Sequence, residues 1–525
     1  MSETGSTLGA GAGAGGGGGR RRPGRLAGRR RGPVRQNGPV LSRLQTTLDR
    51  NSARHRLRGR EAGADAERRP DPSRPAGTDL VPRIRHIVVL MMENHSFDNY
   101  LGRLGRGDGL ADPPPTNPGP GGRAVPAHHF PATSQIDQVP SQSWRSSHIQ
   151  YGDGRNDGFA TAVEDLDPGA DVSLGMGYWD GTDLPFYHGL ARTFPLADRW
   201  FSSLLGPTFP NRRFLLAATA NGLVDDAIAG VIDYPKTGTI FDLLNRHGIS
   251  WANYHHVPPL HLWSRQVGAR TGRAAKLALG GLVPRVDHTV RGEIRCTANL
   301  YALGLTRTIG HLRHVDRFFA DAGSGRLPAV SIVDPDFAYS SEENPQDIQR
   351  GESFAAEVIE AVMRGPAWPH TLLLWLYDEH GGYYDHVPPP AAVEPDDVAP
   401  RSLADRRGVF EWLARHSGML RGARREDDAA GRYDRYGFRV PAVVVSPYAR
   451  PDFVSSTVYD HTSVLKMIEE KWNLAPLTRR DAAAVAPWEA LDLDGPPAFL
   501  DPPALPAPAA PHTWRQSSRP AGRRR

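Results

Sequence analysis

The sequence predicts an α/β fold with a largely parallel central sheet flanked by helices. Runs that are apolar on both faces, as buried parallel strands are, recur at Ile87–Leu90, Ala329–Val333, Leu372–Leu376 and Val440–Val445. Helical patterns lie between them at Phe241–Arg246 and Phe354–Met363, and another follows the last at Ser463–Trp472. Two of the runs end abruptly in polar clusters: Leu372–Tyr377 runs into Asp378-Glu379-His380-Gly381-Gly382, and Ile87–Met92 into Glu93-Asn94-His95-Ser96. Acids stranded at strand ends are costly to desolvate unless something compensates them, and ligands of open α/β sheets bind at the carboxyl ends of strands.

The ends of the chain differ from its middle. Residues 1–80 are rich in Gly and Arg, with 17 Arg, no Lys and 7 acids, and read as a disordered tail. Residues 491–525 form a second, Pro/Ala/Arg-rich tail, also read as disordered, whose last 15 residues hold 5 Arg and no acid. The net charge of +5 therefore hides a body, residues 81–510, of net −10 between basic ends. The arginine-rich tails suggest weak contact with an anionic surface. No run of apolar residues is long enough to span a membrane. The arginine pairs lack the apolar stretch of an export signal, so the chain reads as cytoplasmic by default. One cysteine, Cys296, excludes an intramolecular disulfide and a thiolate metal cluster. Oligomeric state is not legible.

Between the tails, residues 81–490 read as one catalytic domain, with a charged, Pro- and Arg-broken excursion at 390–435 over the strand ends. In Gly206-Pro207-Thr208-Phe209-Pro210-Asn211-Arg212, Pro210 suits the first turn of a helix, which places Thr208 at or just before its start. A threonine there is either a cap or a nucleophile, and the helix start is a natural seat for phosphate. Asn211 and Arg212 behind it either contact phosphoryl oxygens or face solvent. Glu93, Asn94, Asp378 and Glu379 together offer oxygen ligands suited to one divalent metal ion; taken singly, such acids cap loops or pair with arginine. Asp460-His461-Thr462-Ser463 opens a helix capped by Thr462 or Ser463, and His461 is a usable acid or base, as is His148.

The segments IRHIVVLMMENHSFDNYLG, GPTFPNRRF, LYDEHGGYYDHVPPP and the block closing in DHTSVLKMIEE resemble the bacterial phosphoesterase family, in order, from about Ile84 to Leu474. That family contains phospholipases C and a related acid phosphatase and belongs to the alkaline-phosphatase-like superfamily. The resemblance implies that superfamily's fold, with Glu93 and Asn94 as the first metal ligands, Thr208 as a metal-touching nucleophile, Asp378 and Glu379 as the second ligand pair, and His148 near the phosphate. Asn344 stands where relatives often carry histidine. It can hydrogen-bond phosphate but cannot serve as an acid. The resemblance also leaves export open.

The function expected is hydrolysis of a phosphoester, foremost a phospholipid headgroup, through a phosphothreonine, with His148 or His461 protonating the leaving group. Acid-phosphatase action on small phosphomonoesters is the alternative, and an inactive polyanion-binding protein is the alternative of another class. Cys296 lacks the neighbouring proline of a sulfatase motif. Tyr151, Trp179, Tyr187 and Trp200 are available for a choline cage.

Overall fold

The computed structural model describes residues 68–135, 140–226, 234–256, 296–304, 308, 310–401 and 431–510. Its main sheet has eight strands: β1 (His86–Met92), β2 (Leu196–Ala197), β3 (Trp251–His255), β4 (Leu312–His314), β5 (Val330–Val333), β6 (Thr371–Tyr377), β7 (Ala442–Val445) and β8 (Val454–Ser455). They lie in the order β8-β2-β7-β6-β1-β5-β3-β4. The β4-β3-β5-β1-β6 half is parallel throughout, β7 is antiparallel to both β6 and β2, and β8 runs parallel to β2. Every residue of β6, and all of β1 except His86, is buried, because helices cover both faces.

The register of the two central strands matters most. His86 pairs with Thr371 and Met92 with Tyr377, so Glu93 and Asp378 leave the sheet side by side. Helices α1 (Phe97–Leu101), α2 (Trp144–Tyr151), α3 (Pro185–Thr193), α4 (Thr208–Ala217), α5 (Ile240–His247), α6 (Ile348–Met363) and α7 (His461–Lys471) pack around it. Among the described residues no helix is long and apolar enough to cross a membrane.

Two expected boundaries move. Residues 71–80, placed in the first tail, are held by Asn473, whose side chain binds the Asp71 backbone, and by the Leu80 N–H to the Lys471 carbonyl at 2.7 Å. Residues 491–510 also lie on the domain: the Phe499 carbonyl accepts from Trp368, and the Ala509 N–H reaches the buried Glu352 carboxylate at 3.2 Å. Proline fixes φ along this strap, and Leu505 supplies an apolar anchor, so composition alone misjudged it. The expectations for 1–67 and 511–525 lie outside the described residues, as does most of the 390–435 excursion. The two ends of that excursion meet through an Ala391–Arg435 bridge.

Candidate active site

The site is built where β1 and β6 end. The Asn94 N–H donates to Asp378 Oδ1 at 3.1 Å, and the Glu379 N–H to the same oxygen at 2.8 Å. Asn94 adopts φ +69°, a left-handed turn that asparagine tolerates better than most residues. The glycine pair after the acids has a steric reason. Gly381 has φ +66°, and a Cβ there would stand 1.9 Å from the Asn94 carbonyl oxygen. Its N–H binds Glu379 Oε2 at 2.7 Å, which turns the other carboxylate oxygen away.

Thr208 is the first residue of α4 and is 6% exposed. Its hydroxyl makes no cap bond and instead donates to Asn94 Oδ1 at 3.3 Å, so the capping alternative falls. Glu93, Asn94, Thr208, Asp378 and Glu379 thus converge from two strand ends and one helix start. Among the described residues, Glu93 Oε2 and Glu379 Oε1 are buried without a hydrogen-bond partner. Burial pushes both carboxyls well above the usual carboxylate range, Arg212 opposing the rise at Glu93 and Asp378 adding to it at Glu379. Two orphaned, buried carboxylate oxygens beside an amide and a hydroxyl oxygen fit a hard cation. His129, Asp180 and Asp183 form another set, with ligand atoms within 4.8 Å of one another, at a partly exposed position.

Two residues expected at the substrate serve the protein instead. Arg212 is fully buried, and all its donors are taken: Nε by Asp378 Oδ2 at 2.8 Å, Nη1 by Thr297 and Asp334, Nη2 by the Met91 and Met92 carbonyls. Burial opposes its charge, but Asp378, Glu93 and Asp334 outweigh that and hold its pKa above the ordinary value. Arg212 therefore clamps the strand ends from beneath. Asn211 spends its side chain on the loop before Thr208, accepting from Leu204 N–H and donating to the Gly206 carbonyl at 2.8 Å. Every residue of α4 is buried, so both side chains are committed to the protein interior.

The histidines separate. His461 opens α7, but its cap is Asp460, paired with Ser463 in a capping box, not Thr462 or Ser463 alone. Its Nε2 donates to the Asp378 carbonyl at 2.7 Å, and burial lowers its pKa. A neutral ring whose one N–H is committed positions Asp378 rather than protonating a leaving group. His148 lies on α2 and is half-buried, with Nδ1 on the Trp144 carbonyl at 2.7 Å and Nε2 facing Gly431; burial lowers its pKa too. His380 gains a partner: Nε2 meets Gln150 Oε1 at 2.7 Å, and its other nitrogen stands 3.5 Å from Glu379 Oε2. Asn344 accepts from the Tyr383 hydroxyl at 3.0 Å.

Sequence reasoning missed four acids. Asp334 follows β5 and anchors Arg212 and Thr297; the strand-end rule that found Glu93 and Asp378 finds it as well. Glu343 acts electrostatically on Glu93, Glu379 and Asp226. Its neighbour Glu342 is buried under the hydroxyls of Tyr100, Tyr187 and Tyr377, at 2.5–2.9 Å, and burial lifts it to about 8. Asp226 accepts the Phe209 N–H at the start of α4, and burial raises it to about 8. The proposed choline cage does not form: Trp179, Tyr187 and Trp200 are core residues at 0–2% exposure.

A model of the Phosphoesterase family matches residues 84–475. Phospholipase C B of Mycobacterium tuberculosis is 30% identical over 421 residues, 74% of each chain. The non-hemolytic phospholipase C of Pseudomonas aeruginosa is 28% identical over 75% of this chain and 56% of that protein, and non-specific phospholipase C1 of Arabidopsis thaliana is 28% identical over 76% and 69%. A solved protein of the alkaline phosphatase superfamily from Vibrio parahaemolyticus aligns over 82% of this chain and 75% of that one at TM-score 0.32 and 8% identity. The chain belongs to the Phosphoesterase family and is a hydrolase of phosphoester bonds.

Proposed function

We propose that the enzyme cleaves the phosphodiester of a phospholipid, releasing the headgroup phosphate from the lipid alcohol, with Thr208 as nucleophile. The observation that carries this is the Thr208 hydroxyl at the start of α4, uncommitted to capping and aimed at Asn94 among the strand-end acids. Glu93, Asn94, Asp378, Glu379 and Thr208 would hold one divalent ion, which when bound lowers the hydroxyl pKa and offsets phosphoryl charge.

The Thr208 oxygen attacks phosphorus, the bond to the lipid oxygen breaks, and that oxygen takes a proton as the alcohol leaves. Water then cleaves the phosphothreonine and restores the hydroxyl. Arg212 keeps Asp378 in place throughout, and Asn211 keeps the nucleophile loop in place. His148 and His461 each commit the one N–H of a neutral ring to a backbone carbonyl, so neither is assigned as the acid that protonates the leaving alcohol.

Charge supports a diester over a monoester. Glu93, Asp378, Glu379, Asp226 and Glu343 act on one another here, and the buried cation among them is Arg212. Such a pocket tolerates a diester monoanion better than a monoester dianion. The test is hydrolysis of phosphatidylcholine vesicles and of p-nitrophenyl phosphate after chelation and divalent-metal add-back. The reading predicts metal-dependent release of phosphocholine and weak monoesterase action. Turnover of the monoester alone would turn the assignment to a phosphatase.

A further inference from the structure

Helix α4 begins without a cap of its own. Pro207 stands at the N-cap position and offers no side-chain acceptor. Pro210 has no N–H, so Thr208 and Phe209 are the first-turn residues whose donors lack an intrahelical partner. The Phe209 N–H is claimed by Oδ1 of Asp226 at 2.7 Å, a residue 17 positions farther along. A serine or asparagine would cap as well without charge. Here a carboxylate is brought back to a helix start already surrounded by acids, and Glu343 and Asp378 both act on it. Its seat, on the first-turn N–H of the residue after Thr208, is the kind of place where a phosphoryl oxygen is well held.

We propose that Asp226 is an internal competitor for the phosphoryl seat: its carboxylate holds the Phe209 N–H in the free enzyme and yields it when a phosphoryl group docks against Thr208. The inference rests on the reading of Thr208 as nucleophile. Displacing the carboxylate costs one charge-assisted hydrogen bond, and afterwards two anions share a small space. That cost grows with the charge of the incoming group. Inorganic phosphate and dianionic monoesters are weakened most, and a diester monoanion least. Asp226 is thus a specificity-determining residue that also keeps free phosphate from occupying the site.

The test is calorimetric titration of the metal-loaded full chain with inorganic phosphate at pH 9, above the value of about 8 to which burial raises Asp226, so that the competitor is ionised. Asp226→Ala removes the competitor, and phosphate should bind about tenfold more tightly or better, the scale of one hydrogen bond to a charged group. Asp226→Asn keeps the acceptor oxygen and the helix contact but not the charge, so it should bind phosphate more tightly than wild type by a smaller factor. It also carries the test if the alanine variant folds poorly. Phosphate should likewise inhibit diester hydrolysis more strongly in both variants. Phosphate affinity equal to or weaker than wild type in both overturns the inference. Diester turnover by Thr208→Ala overturns the nucleophile reading instead, so the two failures are distinguishable.

Discussion

Replacing Arg439 by methionine should destabilise the domain by about 3–5 kcal/mol, the usual cost of breaking a buried ion pair on one side. Arg439 is fully buried. Its Nε and Nη2 bind the two oxygens of Asp385 at 2.8 and 3.1 Å, and Nη2 also binds Asp98 at 3.0 Å. Its Nη1 donates to the Asp108 and Asp198 carbonyls at 2.8 and 3.0 Å. Asp98 sits in the helix that follows Glu93–Asn94, and Asp385 in the loop that follows Asp378–Glu379, so this one guanidinium ties the two ligand-bearing segments together. Methionine fills the volume but leaves the buried Asp385 carboxylate without its cation and Asp98 with only the partly exposed His386. The loss should therefore be smaller near pH 5, where Asp385 can take up a proton; burial already raises it to about 6 with arginine present. Urea unfolding at pH 5 and pH 8 measures both effects. A loss below about 1 kcal/mol at pH 8, or one that grows as the pH falls, would refute the clamp.

His386 is held by Asp98 at 2.7 Å and Asp108 at 3.2 Å. Burial opposes its charge, but the Asp98 hydrogen bond and the nearby carboxylates win against Arg439 and raise it to about 9. Because the folded pKa is raised, its contribution to stability is complete below about pH 6.5 and lost as the pH climbs through 9. The stability difference between wild type and His386→Gln, followed by melting across pH 6–10, should shrink along that window, and a flat difference would count against it. Gly381→Ala should both strain the turn, by about 1–3 kcal/mol for the left-handed backbone alone, and push against the Asn94 carbonyl. Turnover should fall steeply while far-UV dichroism stays native, and full activity would mean the Gly381–Asn94 contact is dispensable.

The strands were legible because burial on both faces leaves an unmistakable apolar run, and Leu372–Tyr377 with its terminal acids pointed to the site directly. Their spatial order was not, since nothing local in Ala442–Val445 marks it as antiparallel. Oxygen ligands could be guessed from residue type at a strand end. Arg212 and Asn211 could not be placed, because α4 is buried all round and what each side chain meets depends on Asp378, Asp334 and Leu204, residues distant in sequence or across a turn. Asp226 was invisible for the same reason: its partner is a backbone N–H on another element. The strap at 491–510 was misread because proline-rich composition describes what a segment cannot bury, not what already lies beneath it.

The proposed reaction turns on a covalent bond between phosphorus and the Thr208 oxygen. Acid quenching of the metal-loaded enzyme during turnover of a phosphodiester, followed by peptide mapping, tests it most directly. A phosphoryl adduct on the Thr208 peptide is expected, with neither adduct nor turnover in Thr208→Ala. An unmodified Thr208 peptide in the turning-over enzyme, together with sustained hydrolysis by a folded Thr208→Ala variant, would contradict it.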